Sequence, residues 1–383
     1  MPENIGMRLP RWFAERSAPA APEEELRVST VELFLDLVFV FTVTQLTALL
    51  ARDFSPADAL RAVLAFVLIW WIYGGYCWVT NHVPPVRTTR RVLLFTGMGG
   101  FLVIALALPK AFGDGPDGVW FAVGYLVVVL VHTFLYLQAS SRALRLLPGN
   151  LGATALVFAA AYVDEPWRTG LWVLAVAVLI VSPYFIKQEG FPLHPGHIVE
   201  RHGLLVIIVL GESIVAIGIG AGDLPLTADL VAAAVLGLAL AATFWWMYFS
   251  DEAERAEHAL LRIADPVRRT RLVLAGYFYA HIPMLLGVVG VAAGLKKLVA
   301  HPFDPLYPGP AIALGAGVSL FLVGELLFGR ALALGGSPLR SAAAVLALAS
   351  AGLGLVSGMA QLAVLVLIAG GVAALQRSHA ARL

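Results

Sequence analysis

Residues 31–46 read VELFLDLVFVFTVTQL, and residues 199–214 read VERHGLLVIIVLGESI. Both open on Val–Glu and then turn largely apolar, with Asp36 standing out in the first and Arg201, His202 and Glu212 in the second. Neither alternates apolar with polar residues as a half-buried strand would. Each reads as a helix that is apolar on nearly every face, which suits a membrane span. The rest of the chain agrees. Of its 383 residues, 60% are hydrophobic and 13% charged, where soluble domains carry about a quarter charged. The mean hydropathy is +0.84.

A bilayer core about 30 Å thick asks for about 20 apolar residues per helix. Runs of this kind occupy residues 31–50, 59–79, 92–109, 118–138, 150–163 and 170–186. Further runs fill 203–221, 229–249, 272–295, 310–334 and 341–375. The last is 35 residues long, too long for one span, and Gly352, Gly354 and Gly358 offer places to turn. The sequence therefore predicts an all-α membrane protein with about 12 transmembrane helices.

Residues 1–30 lack the apolar core of a cleavable signal and read as a cytoplasmic tail. With that orientation the cytoplasmic side receives 20 of the 26 Lys and Arg residues, and the opposite side only Arg52, Arg61, Lys110, Arg168, Lys296 and Lys297. Such an imbalance matches the positive-inside rule and predicts that both termini are cytoplasmic. A net charge of +1 leaves no basic excess for nucleic acid. The single cysteine, Cys77, supports neither a disulfide framework nor a cysteine metal site.

The chain also repeats itself. Beyond the two opening motifs, WWIY at 70–73 matches WWMY at 245–248, and PVRTTR at 85–90 matches PVRRTR at 266–271. The offsets drift from 168 through 175 to 181, as small loop insertions would produce. This predicts two parallel six-helix repeats, 31–186 and 203–375, joined by a cytoplasmic linker at 187–202 and followed by a tail at 376–383. Duplicated halves of this kind recur in transporters, with the substrate path between them.

Polar groups inside the hydrocarbon mark candidate sites, because a carboxyl at a helix centre costs about 2.5–3.5 kcal/mol. Glu212 lies about 14 Å along its helix from Gly203, near the bilayer midplane. It is expected either to bind an ion or proton or to serve as packing glue, with Gly211 allowing close helix approach and Ser213 sharing a hydrogen bond. The repeat sets Thr44 against Glu212. Glu32 and Asp36, four residues apart, share one helix face with Val43 and Thr47 further along that stripe. They read as a site admitting cations, or as a salt bridge to Arg87, Arg90 or Arg201.

The loop HPGHIVERH gathers His194, His197 and His202 beside Glu200 and Arg201. Its spacing matches no strong zinc template, and a Glu200–Arg201 structural or gating pair is preferred. His132, His281 and Glu325 are further buried polar candidates, and Pro283 is expected to free a backbone carbonyl near His281. Trp70, Trp71, Trp245 and Trp246 read as interface anchors or packing. No phosphate-binding loop, nucleophile elbow, HExxH or dinucleotide fingerprint occurs, so no cofactor and no catalytic residue is assigned.

The motifs at 31–46 and 200–217 resemble those of the bacterial low temperature requirement A protein family, and the resemblance extends from about residue 26 to 375. It implies a polytopic protein of the bacterial inner membrane. It carries Glu32, Phe34, Asp36, Glu200, Arg201, Gly211, Glu212 and Ser213 as motif positions. A fainter likeness of architecture is to the endosomal–lysosomal potassium channel family, whose Phe–Ser–Asp motif finds only Phe34–Leu35–Asp36 here. The expected function is a secondary transporter or channel-like permease for a small ion or solute across the lipid bilayer. A membrane-embedded enzyme acting on lipid and a non-catalytic sensor or scaffold are the alternatives.

Overall fold

The computed structural model describes residues 26–138, 143–185, 193–250, 252–334 and 338–380. Helices are the only regular structure among them, as expected where lipid offers the backbone no hydrogen bonds. In chain order they are α1 Thr30–Asp53, α2 Pro56–His82, α3 Thr88–Lys110, α4 Asp117–Leu137, α5 Ala143–Ala160 and α6 Trp167–Phe185. Then come α7 Pro195–Ala221, α8 Ala228–Phe249, the short α9 Glu252–Leu261, α10 Pro266–Leu298, α11 Pro308–Ala331, α12 Pro338–Gly354 and α13 Gly358–Ala380. Nine are long and apolar enough to cross a membrane, while the apolar parts of α5, α6 and α12 are shorter.

Local chemistry sets the helix ends. Ser55 accepts a hydrogen bond from the Asp58 amide, Thr227 from Leu230 and Asp265 from Val267, each satisfying a donor at a helix start. Proline opens α2, α7, α10, α11 and α12, where its fixed φ and missing N–H are harmless. The run at 341–375 breaks between Gly354 and Gly358, among the predicted glycines. Two boundaries differ from expectation. Helix α7 starts at Pro195 rather than near 203, and α13 continues through residues 376–380. The sequence also gave no warning of α9, whose polar face hides it from a hydropathy window.

Helix ends that share a level touch. At the end where α1 starts, Asn81 meets His194; at the other, Arg61 meets Glu165 and Met359 meets Pro302. The packing of the first six helices recurs later in the chain. The pairs α1–α2, α1–α3, α2–α6, α3–α4, α4–α5 and α5–α6 have counterparts in α7–α8, α7–α10, α8–α13, α10–α11, α11–α12 and α12–α13. Two of these equivalent pairs close on glycine. A Cβ at Gly100 would meet the Gly124 carbonyl at 3.0 Å, and one at Gly287 would meet that of Gly317 at 2.5 Å. Only a bare Cα permits that approach between helices.

Large apolar side chains such as Leu106, Val345 and Leu367 cover the outside, whereas Glu32, Asp36, Arg201, His281 and Glu325 are sealed within. Trp120, Tyr162, Trp167 and Tyr307 stand exposed at the end away from the start of α1, as an interfacial aromatic belt would.

Candidate functional site

The seam where α1 crosses α7 holds most of the ionisable groups singled out above. At its outer end Glu32 serves two masters. One carboxyl oxygen accepts from the Ser29 amide and hydroxyl at 2.9 and 2.7 Å, capping α1, and the other lies 3.0 Å from His197 Nε2. The His197 tautomer follows from its other neighbour. The His194 amide can only donate, so it fixes Asn81 Oδ1 as its acceptor, and Asn81 Nδ2 then points at His197 Nδ1, 3.3 Å away. His197 Nδ1 therefore accepts and Nε2 carries the proton toward Glu32.

One turn deeper, Arg201 Nη2 sits 2.8 Å from Asp36 Oδ1, and the Tyr73 hydroxyl donates to the same oxygen at 2.6 Å. The guanidinium also lies 5.9 Å from the Tyr73 ring centroid, within cation–π range. Charge counting is informative here. With His197 neutral, two carboxyls face one fixed cation, so the cluster carries a surplus negative charge unless it holds one more proton. Not every hydrogen-bonding group is satisfied: Arg201 Nε and Nη1 and Asp36 Oδ2 have no hydrogen-bond partner among the described residues.

Deeper still, Thr44 Oγ1 donates to Glu212 Oε2 at 2.6 Å. These two positions are separated by 168 residues, the spacing of the opening motifs, so equivalent points of the two stretches meet in space. Thr47 lies on the same face of α1 and bonds its own helix at the Val43 carbonyl. Ser213 is buried with its hydroxyl unpartnered among the described residues.

Beside this seam lies a layer of aromatic rings and histidines. Residues Leu274–Tyr279 of α10 form a π-helical turn, and Pro283 removes a further donor. The carbonyls this frees are taken by side chains: Trp70 Nε1 donates to Phe278 O at 2.9 Å, and His281 Nδ1 donates to Gly276 O at 2.9 Å. His281 Nε2 then accepts from the Tyr248 hydroxyl at 3.0 Å. His202 packs edge-on against His281, its Nδ1 bonded to Ile198 O and its Nε2 unpartnered among the described residues.

The structure corrects some expectations and places the remaining candidates. Glu200 and Arg201 do not pair, since consecutive residues on a helix face apart. Glu200 is exposed and accepts from the Val28 amide, and Arg201 turns inward to Asp36. Gly211 mediates no close approach, because a Cβ there would meet open space. Phe34 is half exposed and packs edge-on against Phe95, outside the buried cluster. His194, His197 and His202 do not converge, and no group of three or more His, Cys, Asp or Glu among the described residues is placed to hold a metal ion. Trp70 is wholly buried and hydrogen-bonded, unlike an interface anchor, whereas Trp245 stays half exposed. His132 packs against Gly75 away from the seam.

Tyr73, Asn81, Tyr248 and Arg340 were missed. Arg340 pairs with Glu325, its Nη2 3.4 Å from Oε2. A signal existed for the tyrosines, since Tyr73 and Tyr248 are the matched last letters of WWIY and WWMY.

The model of the family described as bacterial low temperature requirement A protein matches residues 27–375, a span that includes every group just described. A curated relative, an uncharacterized protein of Rhizobium meliloti (strain 1021), is 29% identical over 324 residues. The match covers 80% of this chain and 78% of that protein.

Proposed function

The chain belongs to the bacterial low temperature requirement A protein family, and from that premise we propose that it is a permease of the bacterial inner membrane, with both termini cytoplasmic. In this reading two parallel six-helix repeats flank a path along the α1–α7 seam, and a small ion or solute crosses with coupling to protons. The six recurring helix pairings and the meeting of Thr44 with Glu212 support the repeat. The Lys and Arg imbalance supports the orientation.

One observation carries the transport reading. Buried hydrogen-bonding groups without a partner among the described residues stand at two levels of the seam, Arg201 and Asp36 Oδ2 near its mouth and Ser213 deeper on α7. These levels are about 18 Å apart along the helix at 1.5 Å per residue. Buried polar atoms are normally satisfied, so unsatisfied ones at both levels call for water or a polar solute there. Glu212 lies on the same face of α7 as Arg201 with the Thr44 hydroxyl as its partner, which suits a group that takes up and releases a proton. Asp36 differs. Arg201 already fills the place a free cation would take, so Asp36–Arg201 is the lock at the mouth and Glu212 the exchange site.

The test is ion and proton flux in proteoliposomes across several pH values, intact protein against Glu212→Gln. The substitution keeps size and hydrogen bonding and removes the ionisable group. Flux in the intact protein that vanishes in a folded variant is expected. An intact protein that moves no proton or common cation overturns the ion reading and directs attention to organic solutes.

A further inference from the structure

A second feature has no part in that path. At the end of the bundle where α1 begins, α9, the start of α10 and the end of α11 enclose a pocket of about 450 Å³. Arg255, His258, Arg262 and Arg268 line it, and among the described residues no Asp or Glu does. Arg255 is anchored, its Nη2 donating to the Leu334 carbonyl at 2.8 Å. Arg262, Arg268 and His258 face no carboxylate among the described residues. Two nearby acids are engaged elsewhere: Asp265 caps α10 at the Val267 amide, and Glu257 faces Gly196 of α7. A like-charged group of this kind is costly to assemble without an anion to answer it.

The remaining walls are apolar, with Leu260, Leu272 and Leu334 prominent among them. Helix α9 buries Ala256 and Leu260 and keeps its polar face outward, as a helix lying in the plane of an interface does. A soluble anion would gain nothing from those apolar walls. A lipid would use both, its phosphate on the arginines and its glycerol and first methylenes on the leucines.

We infer that this pocket binds the phosphate headgroup of an anionic phospholipid at the membrane surface. Basic pockets between spans at the cytoplasmic side recognise such headgroups, and each basic residue contributes about fivefold in affinity. The inference does not depend on the permease reading.

The experiment uses the full chain in neutral detergent and measures retention of phosphatidylglycerol, phosphatidylcholine and inorganic phosphate by native mass spectrometry and thermal shift. Intact protein is expected to retain phosphatidylglycerol over phosphatidylcholine. Arg262→Gln with Arg268→Gln is expected to weaken that retention about 25-fold while leaving the lipid-free melting temperature unchanged. Retention within twofold of the intact protein overturns the site. Inorganic phosphate stabilising as well as phosphatidylglycerol at equal concentration overturns the lipid and leaves a free-anion pocket. Should the double variant fail to fold, His258→Gln with Arg268→Gln carries the same comparison.

Discussion

Helix α1 carries ion pairs at both ends, and they are built on opposite terms. At its start Asp36 meets Arg201 at 2.8 Å with both side chains wholly buried. Beyond its other end Arg61 meets Glu165 at 3.2 Å with side-chain exposures of 23% and 39%, and Arg52 meets Asp58 at 3.0 Å from a half-exposed position. Distance hardly separates these contacts. Surroundings do. In water the gain from pairing nearly cancels the loss of hydration and side-chain freedom. In a dry site the same attraction is stronger, but so is the penalty for leaving either partner alone. The outer pairs are therefore replaceable, whereas the inner one ties α1 to α7 and any opening of the seam must deal with it.

The sharpest way to break this contrast is to remove one cation from each end. Arg201→Met should destabilise the protein by about 3–5 kcal/mol, because Asp36 would be left charged and buried. Arg61→Met should cost about 0–1 kcal/mol. Thermal melting in detergent reads both. Adding Asp36→Asn to Arg201→Met should recover much of the loss, and no recovery would show that Arg201 acts mainly through the Tyr73 ring or its own packing.

The matched tryptophans extend the comparison from ends to halves. Trp70 is sealed and satisfies the Phe278 carbonyl opened by the π-helical turn, while Trp245, which holds the same place in the matching WWMY motif, faces outward. Trp70→Phe should cost about 2–3 kcal/mol, from the orphaned carbonyl and the space left behind. Trp245→Phe should stay within about 0.5 kcal/mol. Equal effects would mean that the turn in α10 finds another donor.

Within the seam, Thr44→Val strips Glu212 of its donor and should cost about 1–2 kcal/mol. Glu212→Gln keeps that hydrogen bond and should melt close to the intact protein while losing flux. The two variants separate the structural share of this contact from its transport share.

How much of this could be read from the sequence follows from the range of each signal. A span is written in one continuous run, so helix positions were legible, including the break near Gly354. The matched motifs were legible for the same reason, and α9, which lies between WWMY and PVRRTR, accounts for the later drift in their offset. Partners were harder. Arg201 stood among three arginines named for Asp36, but nothing in helix periodicity could choose between them. Arg340 lies on the next helix, and its pairing with Glu325 rests on the packing of α11 against α12. Asn81 gave no sign, since its role is to fix a histidine tautomer from the end of another helix. Gly211 was misread because a glycine in an apolar run looks the same whether it faces a neighbouring helix or open space.

The smallest effect belongs to the exposed end and comes with a definite sign. Partial burial pushes the Glu165 carboxyl up, but hydrogen bonds from Thr169 and Arg61 outweigh it and hold the group below its ordinary value near 4.5. A carboxyl lowered on folding adds stability above its unfolded value, and that share is lost as pH falls through the folded one. Acidification from about pH 5 to about pH 3 should therefore lower the melting temperature slightly more for the intact protein than for Glu165→Gln. Water screens so exposed a group, which keeps the difference below about 1 kcal/mol. Identical acid profiles would place Glu165 with the surface pairs that contribute nothing measurable. A difference well above that bound would mean that this end is sealed more tightly than its side-chain exposures indicate, and the contrast between the two ends of α1 would narrow accordingly.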